Sequence, residues 1–163
     1  MNELTIQQAQ KITSPNPFVL ACSLREDGKT NVAAFSWWTY LSNRPPMVAF
    51  CAKSTGYTGE CVARSKSFAL CVVDDTMKEK AFQCGTASGR NVDKAEALGI
   101  EMIPCREDGL MAVKNSAVIF VCSLEQSVPA GDHTIHIGKV EKVLGDPDKK
   151  HLSAYNGYQY LDV

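Results

Sequence analysis

Apolar residues along this chain gather in short runs of strand length rather than in stripes of helical period. Residues 18–22 (Phe-Val-Leu-Ala-Cys), 47–52 (Met-Val-Ala-Phe-Cys-Ala), 68–73 (Phe-Ala-Leu-Cys-Val-Val) and 117–122 (Ala-Val-Ile-Phe-Val-Cys) are nearly unbroken, as buried strands are. Residues 134–137 alternate instead, with Thr134 and His136 on one side and Ile135 and Ile137 on the other. The turn Glu26-Asp27-Gly28-Lys29 reverses the first run into residues 31–35, which predicts a hairpin. Ser42-Asn43-Arg44-Pro45-Pro46 cannot lie inside a strand, because two successive prolines withhold ladder donors. Long strands are predicted over 116–128 and 134–144, joined through residues 129–133. Residues 60–64 predict a short helix. Thr76 predicts the N-cap of a helix starting at Met77, with Glu79 placed for a capping box and Gly85 as its stop. Residues 92–98 predict another helix ending at Gly99, and Glu107-Asp108-Gly109 a further turn. Many strands, short helices and little helix–strand alternation predict a mainly β, antiparallel barrel. Residues 154–161 are aromatic enough to pack on the body or on a neighbouring subunit.

Composition narrows this picture. A chain of 163 residues fits one domain and needs no disulfide or metal staple. Hydrophobic residues make up 45% and charged residues 21%, the balance of a globular protein. A net charge of -1 argues against nucleic acid as the main partner, since a phosphate-tracking surface shows an excess of Lys and Arg. Seven cysteines, an odd count without a two-residue-gap pair, are expected to be free core thiols in a reducing cytosol. The polar, acidic first ten residues do not resemble a secretory signal. No apolar run is long enough to span a bilayer. The expectation is a soluble, cytoplasmic protein without a membrane partner.

Three polar segments, each flanked by confident strands, carry the candidate chemistry: 31–39, 53–58 and 84–91. The last, Cys84-Gly85-Thr86-Ala87-Ser88-Gly89-Arg90-Asn91, offers glycines for close backbone approach, hydroxyls, and a guanidinium suited to a phosphate or carbonyl. Lys53-Ser54-Thr55-Gly56-Tyr57-Thr58 joins a cation to hydroxyls ahead of a helix whose first amides favour an anion. The pair Trp37-Trp38 can frame a planar ligand. Taken singly, 84–91 also reads as an ordinary helix-connecting loop, 53–58 as a solvated loop, and Trp37-Trp38 as core or interface residues. His133 and His136 fall on opposite faces of an extended strand, so no metal site is expected. The chain has no Rossmann glycine fingerprint, P-loop or nucleophile elbow, so a nucleotide ligand requires another architecture.

Taken together and in order, Gly28-Lys29-Thr30-Asn31, Phe35-Ser36-Trp37-Trp38-Thr39, Ser42 with Pro45-Pro46, Tyr57-Thr58, the stretch from Cys84 to Lys94, and Ala130-Gly131-Asp132-His133-Thr134-Ile135-His136-Ile137-Gly138-Lys139-Val140 resemble the flavin reductase-like, FMN-binding split-barrel family. Within that family the likeness is to flavoredoxin-like members. The resemblance implies one domain over 1–163, a six-stranded Greek-key split β-barrel, and a homodimer with non-covalent FMN near the subunit interface. By matching motif it implies that Asn31, Ala33, Ala34, Phe35, Ser36, Trp37 and Trp38 run along the isoalloxazine. Lys53, Ser54, Thr55, Tyr57 and Thr58 would hold the phosphate and ribityl chain, Ser88, Gly89 and Arg90 would complete the site, and His133 would lie near a nicotinamide. The implied activity is hydride transfer from NADH or NADPH to FMN, with reduced flavin passed to a second acceptor, a protein or a small molecule. An FMN-containing electron carrier that serves protein partners is the alternative. After Thr58, Gly59-Glu60-Cys61-Val62-Ala63 departs from the family, which often has an asparagine and a longer apolar helix there.

Overall fold

The computed structural model describes residues 3–13, 15–155 and 159–162. In chain order its elements begin with α1 (Ile6–Ile12), β1 (Asn16–Pro17), β2 (Val19–Leu24), β3 (Thr30–Phe35), β4 (Trp38–Asn43) and β5 (Pro46–Lys53). There follow α2 (Tyr57–Ser65), β6 (Ser67–Val73), a 3-10 turn (Asp75–Met77), α3 (Lys78–Thr86) and α4 (Lys94–Ala97). The chain continues through β7 (Met102–Pro104), β8 (Met111–Val113), β9 (Ser116–Ala130), β10 (His133–Gly145), β11 (Leu152–Tyr155) and β12 (Gln159–Asp162).

Seven strands form one antiparallel sheet in the order β3-β2-β6-β9-β10-β5-β4. Its two edge strands, β3 and β4, are consecutive in the chain, separated only by Ser36 and Trp37. A flat sheet of seven strands would hold its edges roughly 29 Å apart. Three residue steps reach at most about 11 Å, so the sheet must roll to bring Phe35 beside Trp38. It rolls without closing: no ladder joins β3 to β4 or β5 among the described residues. The fold is therefore mainly β and antiparallel, as expected, but the six-stranded barrel is replaced by an open seven-stranded sheet. The additional strand is β4; of the segment 42–46 expected to lie outside any strand, Ser42 and Asn43 end β4 and Pro46 opens β5, so that only Arg44 and Pro45 form the turn.

Rolling gives the sheet two buried faces, which accounts for the unbroken apolar runs. Along β2, Val19 and Ala21 enter one core with Phe50, Phe68, Phe120 and Val62 of α2. Leu20 and Cys22 enter the other, beneath α3, β7, β8 and β11. Ala69 and Cys71 on β6 divide from Phe68 and Leu70 in the same way. At Gly138 of β10 the sheet interior tolerates no side chain, because an added Cβ would lie 2.3 Å from Phe68 Cζ. Six of the seven cysteines are buried, Cys51 is half-buried, and all are free. A small sheet, β1-β11-β12, carries the end of the chain. Leu152 and Ala154 bury in the second core, while of the aromatic tail expected over 154–161, Tyr158 lies outside the described residues.

Local signals fared unevenly. Gly28, Gly99 and Gly109 take the positive φ their turns require, at 80°, 57° and 94°. The cap ahead of α3 is Asp74 rather than Thr76. Its carboxylate accepts from the Thr76 backbone N–H at 3.2 Å and from the Thr76 hydroxyl at 2.5 Å, so a 3-10 turn precedes α3. Asp93 likewise caps α4 by accepting from the Glu96 N–H. Among the described residues no helix is long and apolar enough to cross a membrane.

Candidate functional site

The three polar segments meet at one cavity of about 360 Å³. Ala33 and Ala34 of β3 give it a floor of small side chains, Lys53 and the first turn of α2 one wall, and residues 84–89 the other. The turn between β5 and α2 is drawn tight: the Gly56 N–H donates to Lys53 O at 2.8 Å, and a Cβ on Gly56 would sit 2.9 Å from that same oxygen. Ser54 fastens the turn to β10, donating its N–H to Asp132 O and pairing its hydroxyl with that of Thr134, each at 3.0 Å. Gly56 brings no side-chain cap to α2. The first amides of this nine-residue helix, with Lys53 beside them, therefore present positive potential to the cavity.

Asn31 lies beneath the cavity rather than in its lining. Its Nδ2 donates to the Ser23 and Thr58 hydroxyls at 3.2 and 3.0 Å, and its buried Oδ1 has no hydrogen-bond partner among the described residues. Gly89 rests directly on that oxygen, since a Cβ there would lie 1.8 Å away. The opposite wall is held by Lys94, which is buried and donates from Nζ to Cys84 O at 2.9 Å and Ala87 O at 3.0 Å. These carbonyls close α3, so the helix runs through Gly85, its expected stop, to Thr86 and is capped by a lysine instead of a glycine. Burial pulls the Lys94 ammonium below its ordinary pKa, and burial pushes the neighbouring Cys84 thiol up to about 11.

Other sequence candidates sit outside this cavity. Phe35 packs edge-on against Phe50, with ring centroids 5.0 Å apart. Ser36 is half-buried and Thr55 exposed. Trp37 and Trp38 line a smaller, apolar cavity of about 250 Å³ with Leu41, Phe50, Cys51 and Ile135. Trp37 is 45% exposed, and its ring lies 4.8 Å from that of His133. The His133 imidazole joins the Asp132 carboxylate through Nδ1 at 2.8 Å, which leaves Nε2 for another partner. His133 also pairs with Lys53 across the β10–β5 ladder. His136 goes elsewhere, to the Ser127 hydroxyl at 3.0 Å and the ring of Phe50. Arg90 is not in the lining of the cavity. It donates to the Glu60 carboxylate at 2.5 Å and lies 5.0 Å above the Tyr57 ring.

Lys94 is the residue that sequence reasoning left without a role. It closed the recognised motif, but no one-dimensional pattern separates a lysine buried over a helix end from a solvated one. The departure after Thr58 produces a short α2 in which Cys61 and Val62 are buried, and Gly59 admits His136, whose Nε2 would stand 3.0 Å from an added Cβ.

Residues 12–162 match the model of the flavin reductase like domain. A flavin reductase from Pseudomonas putida is 24% identical over 88% of this chain and 81% of its own length. The crystal structure of an FMN-binding protein from Thermus thermophilus with bound p-hydroxybenzaldehyde superposes with a TM-score of 0.86 at 19% identity, over 99% of this chain and 94% of that one. The flavoredoxin of Desulfovibrio vulgaris (Miyazaki F) superposes at 0.85 and 20% identity, over 100% and 93%. Matches to archaeal relatives from Archaeoglobus fulgidus, Pyrococcus abyssi and Aeropyrum pernix span 69%, 64% and 63% of those proteins' lengths. With a family model covering nearly all of its length, the chain belongs to the flavin reductase like domain family.

Proposed function

We propose that the protein binds FMN non-covalently in the cavity between β3, α2 and the end of α3, and passes hydride to it from NADH or NADPH. The observation that carries this reading is the convergence of three distant segments on one cavity with distinct ends. Lys53 and the uncapped amides of α2 suit a phosphate. The alanine floor suits a flat ring system, and Lys94 offers a buried cation to the polar edge of that ring. At Gly56 and Gly89 the walls pack so closely that an added Cβ would clash with Lys53 O and Asn31 Oδ1, so a side chain at either would displace the cavity wall.

When bound, the flavin supplies the two-electron chemistry that no side chain here possesses. The protein's own work is to orient and to exclude water. Ala33 and Ala34 allow close approach to the ring, and Lys94 opposes negative charge that develops on it. Trp37 and His133 form a paired wall beside Lys53, where a nicotinamide would be stacked and held at contact distance. We assign the protein a homodimeric state, with the exposed β4 edge near the flavin, and a diffusible or protein acceptor for the reduced flavin.

The test begins by soaking the purified protein in excess FMN and dialysing, then measuring visible absorbance. Flavin-loaded protein is next mixed anaerobically with NADH and, separately, NADPH. Rapid bleaching is expected with at least one. A colourless but folded protein would end the flavin reading, and a coloured protein that neither nucleotide bleaches would make it an electron carrier serving protein partners.

A further inference from the structure

Arg90 directly follows Ser88 and Gly89 of the cavity lining, yet it is not in that lining itself. The guanidinium sits on the Glu60 carboxylate at 2.5 Å and over the Tyr57 ring at 5.0 Å. Glu60 lies one turn into α2, its N–H donating to Gly56 O at 3.3 Å. That is the same first turn whose amides, with Lys53, make the cation-lined end of the cavity. A carboxylate in this turn partly offsets the positive end of the helix dipole without capping its amides. It therefore acts against a phosphate in two ways, by occupying Arg90 and by adding a like charge within a Debye length of the phosphate position.

We infer that Glu60 lowers flavin affinity by holding Arg90 away from the flavin phosphate. This rests on the flavin reading of the cavity and makes it sharper. The Glu60–Arg90 pair is neutral as a unit and spans from α2 to the loop after α3, with both side chains about half exposed. Neutralising Glu60 releases one positive charge beside the phosphate without touching the alanine floor or Lys94. The effect must then depend on the phosphate and not on the ring.

FMN and riboflavin, which lacks the phosphate, are titrated against the full chain and the Glu60→Gln, Arg90→Gln and Glu60→Gln/Arg90→Gln variants at two salt concentrations. Glu60→Gln is expected to bind FMN about three- to tenfold more tightly, with riboflavin unchanged within about twofold and the gain shrinking at high salt. Arg90→Gln should weaken FMN by a similar factor, and the double variant should return to the parent affinity. A pair that merely pins the loop predicts the opposite for Glu60→Gln: weaker binding of both flavins. That result, or an unchanged ratio of FMN to riboflavin affinity, overturns the inference while leaving the flavin site intact. Failure of the parent protein to bind either flavin removes both readings together.

Discussion

Gly89 works at a distance that admits no side chain. A Cβ there would fall 1.8 Å from the buried Asn31 Oδ1 and 3.4 Å from the Tyr57 ring. Asn31 cannot retreat, because its Nδ2 is held by Ser23 and Thr58, so Gly89→Ala must lift the loop that walls the cavity. Flavin affinity is expected to fall at least about tenfold, equivalent to ~1.4 kcal/mol, while the denaturation midpoint moves little because the loop is peripheral to both cores. Fluorescence titration beside urea unfolding separates the two effects. His136 offers a different single-residue reading. Burial holds its imidazole below the ordinary value of 6.5, so it is neutral in the folded chain where the unfolded chain begins to protonate. Its stabilising contribution is complete above pH 6.5 and is lost as the pH falls through the folded-state value. The carboxylates with depressed pKa values, such as Asp74 and Glu60, act at lower pH, below their ordinary 3.8 and 4.5. Urea midpoints should therefore decline between pH 7 and 5.5, and that decline should flatten in His136→Gln. An identical slope in the variant would assign it to another group.

Elements in this chain were legible wherever backbone chemistry and apolar pattern agreed. The β2–β3 hairpin announces itself through Asp27-Gly28 between two apolar runs, and β9 and β10 through their length. The limits of the helices were less readable because the partners that end them come from far along the chain. Thr76 resembles a cap, yet the carboxylate of Asp74 reaches its N–H first and is itself anchored by Lys149 at 2.7 Å. Gly85 resembles a stop, yet Lys94 carries α3 past it. The short strands β7 and β8 gave no periodic signal and exist because each pairs with the other. In the same way, the candidate segments were visible as polar breaks between strands, but which side chains face the cavity was decided by strand register and by Glu60, neither of which a motif records. The C-terminus of α2 yields a prediction of its own. Lys66 closes this helix at φ 58°, a left-handed conformation that a Cβ disfavours. Lys66→Gly should raise stability by about 1 kcal/mol, read as a higher urea midpoint with an unchanged slope, whereas a neutral or lower midpoint would mean that the lysine side chain contributes more than its backbone costs.

At the scale of the molecule, the rolled sheet leaves its β4 edge unpaired among the described residues and rich in exposed apolar side chains. Tyr40 and Leu41 are 67% and 48% exposed; Leu41 shares the smaller apolar cavity with Trp37, itself 45% exposed, while Tyr40 packs against the rings of Trp38 and Phe120. Monomeric proteins rarely leave such neighbouring large apolar side chains uncovered without a use for them. An unpaired strand edge is also a hazard unless something covers it. A second copy of the chain is the occupant that the proposed homodimer supplies, and the same strand leads back through Trp37 to His133 and the cavity mouth. Assembly and flavin binding should then be linked, because covering Trp37 would dry the wall on which a nicotinamide stacks. Sedimentation of the native protein should give twice the 17.8 kDa chain mass, and Tyr40→Ser/Leu41→Ser should sediment as a monomer. The monomer should keep its circular dichroism spectrum, since both side chains are exposed at the rim of the core, but lose most of the rate of flavin reduction. A monomeric native protein, or a double variant that remains dimeric, would show that this edge is not the assembly surface. A monomeric variant reducing flavin at the native rate would show instead that the cavity is complete within one chain.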